Sequence, residues 1–280
     1  MDDRIINGIM EILSGVVNLG GSKGGLTEAP QTFNPAIYNG VNAIAENVVM
    51  PIGYVILSLI FVLELYQITV RTEYTAGSLG LEVPFRAMFK FVICKTLIDS
   101  TPLILAAIFE ISNVIITGAG NTLSTGVSAI DTAVFESSMR EALGNMDFSV
   151  KLLTLMEVTI LGLIFKFSTL VADIIIIGRM FEIYIMTAIA AIPMATLGNA
   201  DASSIGKNFL KSFAAVCLQG ALIFIVLALF NFLVSGIASE ITMEAGDITS
   251  LVWQPLLYSL VLVVSLFSTG RISKSICNAM

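Results

Sequence analysis

The stretch whose reading decides the fold is Gly178–Phe230, GRMFEIYIMTAIAAIPMATLGNADASSIGKNFLKSFAAVCLQGALIFIVLALF. Two long apolar runs flank a short polar loop that carries Lys207 and Lys211. Runs of this kind fit helices that cross a bilayer, for which about 20 apolar residues suffice. The rest of the chain has the same character. Of its 280 residues, 56% are hydrophobic and 12% charged, and mean hydropathy is +0.92. Ordinary soluble domains carry about 25% charged residues. The deficit is too large for one soluble core. The expected fold is therefore all-α: a polytopic integral membrane protein with about five transmembrane helices plus amphipathic interfacial helices.

Composition also excludes several kinds of chemistry. The net charge of −7 argues against a nucleic-acid footprint spread over the surface, though not against a channel that nucleic acid passes through. Cys94, Cys217 and Cys277 are odd in number and scattered, so neither a disulfide framework nor a metal site is indicated. The absence of histidine removes Ser-His triads, HExxH zinc sites and histidine proton relays together. Asp173 lacks the GxGD context of an intramembrane aspartyl protease, and the GGSKGG run at Gly20–Gly25 lacks P-loop spacing and reads as a linker. No cofactor and no catalytic residue is expected. Asp2 and Asp3 precede Arg4 and no cleavage pattern follows, so the first true span is expected to serve as the insertion signal.

Along the chain, residues 1–47 form an N-terminal region on the extracytoplasmic side and residues 48–280 the transmembrane domain. Residues 2–19 place Ile5, Ile9, Ile12 and Val16 on one face, an amphipathic helix for the membrane surface or a partner. A flexible connector over 20–33 and a semi-polar helix over 35–47 lead into the bilayer. Spans are expected at about 48–70, 102–117, 152–177, 213–234 and 251–267. Polar loops are expected over 71–80, 118–150, 198–211 and 235–250. Residues 83–98, with Arg86 and Lys90 four apart and Lys95 beyond, read as an interfacial helix. Trp253 reads as an interfacial anchor.

Residues 152–197 would reach about twice the thickness of a bilayer core as one helix. They therefore hold either two spans or one span plus an interfacial or re-entrant segment over 178–197, with the break at Gly178-Arg179 and Glu182. Pro193 should kink or end a helix. Charge arbitrates the number of crossings. With five crossings and the N-terminus outside, Arg71, Arg86, Lys90, Lys95, Lys207, Lys211, Arg271 and Lys274 face inside, and Arg4, Lys23, Arg140 and Lys151 face outside. With six, only Arg71, Arg86, Lys90, Lys95 and Arg179 remain inside. Cytoplasmic segments carry the basic excess, so five crossings are favoured, with the N-terminus outside and the C-terminus cytoplasmic.

Glu64, Glu110, Glu157, Lys166 and Asp173 fall within expected spans. A charge at the bilayer centre costs at least ~2.5–3.5 kcal/mol on insertion scales, so each needs a partner or water. Lys166 can pair with Glu110, Glu157 or a neighbouring subunit's carboxylate. These groups fit either ion pairs that fix helix register or a wet pathway. Gln219-Gly220 puts an amide in the fourth span, where it can bridge helices.

The run GRMFEIYIMTAIAAIPMATLGN followed by GKNFLKSFAAVCLQGALIFIV resembles the TrbL-like conjugal-transfer proteins of Gram-positive integrative elements. These belong to the polytopic inner-membrane subunits of type IV secretion systems. The resemblance rests on Gly178-Arg179, on Glu182-Ile183-Tyr184, on Ala188, Ala191 and Pro193, on Asn208 and Leu210-Lys211-Ser212, and on Gln219-Gly220. The chain departs from the pattern at Ala190-Ala191, where the family has a further proline. The close match covers about a fifth of the chain.

The resemblance implies a non-enzymatic channel or scaffold subunit of a conjugative secretion machine. Such a subunit helps a DNA–protein substrate cross the membrane and anchors the pilus or stalk. It implies a homo-oligomeric ring in the lipid bilayer, working beside other secretion membrane subunits and cytoplasmic ATPases. Arg179, Glu182, Pro193, Lys211, Gln219 and Gly220 are then the structural and assembly residues, with the 178–211 segment docking at the cytoplasmic face. The intramembrane charges motivate a different class, a small ion-coupled secondary transporter. That class calls for paired broken helices in inverted repeats, and only 152–197 looks broken.

Overall fold

The computed structural model describes residues 2–21, 24–74, 82–123, 132–144, 147–199, 201–241 and 248–279. Those residues form helices and no strand. Helix α1 is Asp2–Gly21, α2 Gly24–Thr27, α3 Pro30–Phe33 and α4 Pro35–Ile44. A π-helical turn, Ala45–Val49, leads into α5, Met50–Tyr74; then come α6, Glu82–Asp99, α7, Thr101–Leu123, and α8, Thr132–Gly144. Helix α9 is Phe148–Ile189, α10 Ala191–Ala195, α11 Ser203–Ile241 and α12 Ile248–Ile276. Among the described residues, five stretches are long and apolar enough to cross a membrane: Pro35–Val70, Thr101–Thr122, Phe148–Ile189, Ser203–Val234 and Leu256–Ile276.

Prolines set the joints. Pro51 cannot donate to the turn before it, and the π-helical turn stands there. Pro102 sits just after the Ser100 joint of α6 and α7. Helical hydrogen bonds still cross that joint, from Ser100 N to the Thr96 carbonyl at 2.9 Å and from Ile104 N to the Ser100 carbonyl at 3.0 Å. Pro193 has no hydrogen for the Ile189 carbonyl, and α9 ends at Ile189. The break expected at Gly178-Arg179 is thus not found: α9 runs through both residues. Asn34 begins α4 by accepting from Ile37 N at 3.1 Å, with Pro35 in the first turn. Buried helical hydroxyls turn back on their own helices. Thr154 donates to the Val150 carbonyl, and Ser168 to Ile164. In an apolar medium these carbonyls are the partners within reach.

Other expectations also shift. The connector over 20–33 holds α2 and α3, and the loop over 118–150 holds the end of α7 and all of α8. The second span is longer than expected, at 22 residues. Residues 75–81, 124–131 and 242–247, parts of the expected polar loops, lie outside the described residues, as do Lys23 and the side chains of Arg86 and Trp253.

The chain divides into two compact units. One comprises Met1–Thr27, Asn113–Gly178 and Gln219–Arg271; the other comprises Glu28–Ser112, Arg179–Leu218 and Ile272–Met280. In the first unit α1 lies on α9. Lys151 donates to Asp2 at 3.0 Å, and Lys166 meets Glu11 at 3.0 Å. Gly8 fits against Val158 so closely that a Cβ there would lie 2.8 Å from Cγ1. Residue numbers rise together on both helices, so they run parallel. Ile5, Ile6 and Ile12 are buried on that side. The amphipathic face of α1 therefore has a partner within the chain. Arg140 of α8 joins Asp3 and Glu136, each at 2.9 Å. Ser168 donates to the Ser259 carbonyl at 3.4 Å, linking α9 to α12.

In the second unit α6 packs antiparallel on α5. The Tyr54 hydroxyl donates to Asp99 at one end, the Phe61 and Phe91 rings lie 4.8 Å apart, and Lys90 donates to Glu64 at 2.7 Å. Numbers rise on one helix as they fall on the other. The helix expected at the interface thus runs along a candidate span. Gly53 lets α10 approach α5, because a Cβ there would lie 3.0 Å from the Ala191 carbonyl oxygen.

Gly206, in the first turns of α11, is tighter still. A Cβ there would stand 2.7 Å from the Pro193 carbonyl oxygen, which is backbone and cannot swing away. Gly206→Ala is expected to cost about 1–3 kcal/mol. It should lower the melting temperature of the detergent-solubilised chain. Gly40→Ala, which meets nothing within 4 Å, should hold or raise it. Equal melting temperatures for the two variants would refute this packing.

Candidate functional site

Four of the residues singled out by sequence, Arg179, Glu182, Pro193 and Lys211, lie in the second unit, on the end of α9, on α10 and on the first half of α11. Pro193 ends α9 and lies buried in α10. The chain then turns through Thr196–Gly198. The Thr196 hydroxyl donates to the Pro193 carbonyl at 2.7 Å and accepts from Gly206 N at 3.1 Å, so it fastens α10 to the first turns of α11. The Asn199 side chain accepts from Asp201 N at 2.7 Å, an Asx turn that aims the chain into α11. Gly198 lies against Cys94 of α6, where a Cβ would be 2.8 Å from the sulfur.

Arg179 is 2% exposed, within the core formed by Phe109, Met180, Tyr184, Phe213 and Cys217. Its guanidinium carbon lies 5.9 Å from the centre of the Phe109 ring, and Nη2 is 3.9 Å from Met180 Sδ. A cation over an aromatic face gains about 0.5–2 kcal/mol when desolvated. The Tyr184 hydroxyl donates to the Pro30 carbonyl at 2.6 Å, tying α9 to α3, and the Ser112 hydroxyl donates to the Cys217 carbonyl. Glu182 is exposed, as is Lys211. Arg179 and Glu182, both assigned to assembly by sequence, are therefore separated by burial. Gly220 is buried, and Gln219 packs its amide against Gly270, within the first unit.

The intramembrane charges divide likewise. Glu64 pairs with Lys90, and the pair borders a shallow cleft with Leu57, Phe61, Phe91, Cys94 and Gly198. Lys166 meets Glu11 of α1 rather than Glu110 or Glu157. Glu110 and Asp173 are exposed and Glu157 is half-buried, with no ion pair among the described residues. Outside the spans, Asp99 is held below the usual carboxylate range, first by the Tyr54 hydroxyl and then by Lys95. Its contribution to stability is therefore present above that range and lost as pH falls through it. Burial pushes the Cys94 thiol up, so it is a poor nucleophile. Among the described residues no group of His, Cys, Asp and Glu could hold a metal ion. What this geometry does is lock helix ends together.

Sequence reading missed Thr196, Gly206, Gly198 and Tyr54–Asp99. Only Gly206, a glycine opening a helix, carried a signal. Because Arg179 fills a core position, Arg179→Ala should cost about 2–4 kcal/mol through the cavity it leaves. Exposed Glu182→Ala should stay within about 0.5 kcal/mol of the parent. Thermal melting in detergent checks both, and unchanged melting of Arg179→Ala would sink the core assignment.

No curated protein and no solved structure matches this chain. The family described as TrbL/VirB6 plasmid conjugal transfer like protein matches residues 17–191. The match runs from the last five residues of α1 to the first residue of α10, including Arg179 and Glu182, and stops before Pro193 and the GKNFLKSF run. It covers well over half of the 280 residues. A multi-pass membrane protein by its five span-length apolar helices, the chain belongs to the TrbL/VirB6-like family of plasmid conjugal transfer proteins, components of conjugal transfer and type IV secretion.

Proposed function

We propose that the chain is a non-enzymatic channel or scaffold subunit in the cell membrane of a conjugative type IV secretion machine. It helps a DNA–protein substrate across and anchors the pilus or stalk. The family match carries this reading. It is supported by a site whose polar groups join helix ends to one another. In this reading the chain forms a homo-oligomeric ring and works with other secretion membrane subunits and cytoplasmic ATPases. Its N-terminus lies outside and its C-terminus in the cytoplasm, because Lys207, Lys211, Arg271 and Lys274 then fall inside. Exposed Glu182 and Lys211 are the side chains left to meet partners there, while Arg179, Pro193 and Gly220 hold the frame.

Deleting the gene should abolish DNA transfer while leaving processing of the transferred DNA intact; undiminished transfer would refute the role. Cys277 reads the orientation, because Cys94 and Cys217 are buried and it is not. A membrane-impermeant maleimide should label Cys277 only after cells are permeabilised. Labelling in intact cells would reverse the assigned orientation.

A further inference from the structure

Two stripes run side by side along the part of α9 that lies in the first unit. Thr159, Gly162, Lys166, Thr169 and Asp173 recur in alternating steps of three and four, which puts them on one face of the helix. The residue after each is large and apolar: Ile160, Leu163, Phe167, Leu170 and Ile174, all exposed. One residue turns a helix by about 100° and lifts it by about 1.5 Å. The apolar stripe therefore stands beside the polar one at the same depth.

Lipid suits only one of these stripes. A bilayer core takes about 20 helical residues. Any segment of that length within α9 contains Lys166 if it starts by residue 166, and Asp173 if it starts later. A charge at that depth costs at least ~2.5–3.5 kcal/mol unless a partner or water meets it. Lys166 has Glu11 at 3.0 Å, yet the two side chains stay 68% and 66% exposed. Asp173 is exposed and has no ion pair among the described residues. Helix α1 widens the polar stripe. Ile12 packs at Gly162 and Glu11 reaches Lys166, so the two helices share this edge. The described side chains of α1 that stand exposed are Asp3, Arg4, Asn7 and Glu11, all polar, while Ile5, Ile6 and Ile12 are buried. The outer side of α1 is thus built for water.

We propose that the α9 stripe from Thr159 to Asp173, with the outer side of α1, lines the water-filled passage of the assembled channel, while the apolar stripe beside it faces away from water. Charge selects the occupant: only water, or hydrated cargo within it, meets Lys166, Glu11 and Asp173 without the cost of bare burial. A ring suits this placement, because each copy can turn the same strip toward a common axis. The proposal rests on the channel reading above and names the face that lines the channel.

The test is thiol accessibility in membrane fragments, open to both faces, from cells that carry the whole transfer machine. The full chain carries Cys277→Ser, and Cys94 and Cys217 are buried. Single cysteines are placed at neighbouring residues of the two stripes, Thr159→Cys against Ile160→Cys and Asp173→Cys against Ile174→Cys. The probe is a charged, water-borne methanethiosulfonate. Thr159→Cys and Asp173→Cys should react at least about tenfold faster than their neighbours, because a thiol in apolar surroundings stays protonated and unreactive. Thr169→Cys against Leu170→Cys supplies a further pair should a variant fail to accumulate. Equal rates within the pairs, fast or slow, or faster reaction on the apolar stripe, would overturn the proposal. Such a result would leave the transfer phenotype of the gene deletion standing, whereas undiminished transfer in that deletion would sink the channel reading whatever the thiols do.

Discussion

Pro193 has no amide hydrogen, and the second unit is arranged around that lack. The Ile189 carbonyl loses its helical donor and α9 stops; the chain goes on through α10, with Ala190 still helical, and turns at Thr196–Gly198. The turn is then secured by what surrounds it. Thr196 takes the Pro193 carbonyl and offers its oxygen to Gly206, and Gly206 is bare so that α11 can start against that same carbonyl. Gly53 and Gly198 are bare for a related reason, since α5 meets α10 through one and α6 meets the turn through the other. Three glycines thus stand where the segment around Pro193 is approached most closely, and the Pro193 carbonyl and Thr196 hold the start of α11.

Charges follow a second rule. An isolated charge at bilayer depth costs at least ~2.5–3.5 kcal/mol, while an exposed pair in water contributes about 0–1. Pairing in this chain is therefore chiefly a way to avoid a penalty. Glu64 is met by Lys90, from a helix that sequence reading assigned to the interface, and Lys166 by Glu11, from one it assigned to the membrane surface or a partner. Those helices, α6 and α1, are polar because their charges answer charges on the spans they cover. Their mixed character marks contact with α5 and α9, and it need not mark contact with headgroups.

This explains what could be read from the sequence and what could not. Long apolar runs give the spans directly, because burial of backbone polar groups in lipid leaves helix as the only choice. The face of α1 follows from the spacing of Ile5, Ile9 and Ile12. Its partner does not, because Glu11 and Lys166 are far apart in the chain and no spacing links them. The break in 152–197 was sought at Gly178-Arg179, on the premise that a charge marks an interface. Arg179 instead sits in the core over Phe109, where burial is compatible with an unbroken helix. The rule that a proline acts four residues upstream places the break correctly at Ile189. Helix α8 was hidden because a polar helix held by Glu136 and Arg140 has the composition of a loop.

The burial of α11 bears on how such a subunit could pass a substrate. Its most apolar window is 61% buried, against 17–28% for the other four spans. A channel along this helix within one chain would need polar or small side chains on its buried face. The buried face of α11 offers Phe213, Val216, Ile223, Phe224, Leu227 and Phe230. Burying each of these gains about 1.5–3 kcal/mol, so opening them to water would cost more than a marginally stable fold can supply. A channel reading therefore requires walls from several copies, with α11 as filling within each wall. Exposed carboxylates such as Glu110 and Asp173 then have a use that a lone chain in lipid cannot give them, because an assembled wall can hold them against water.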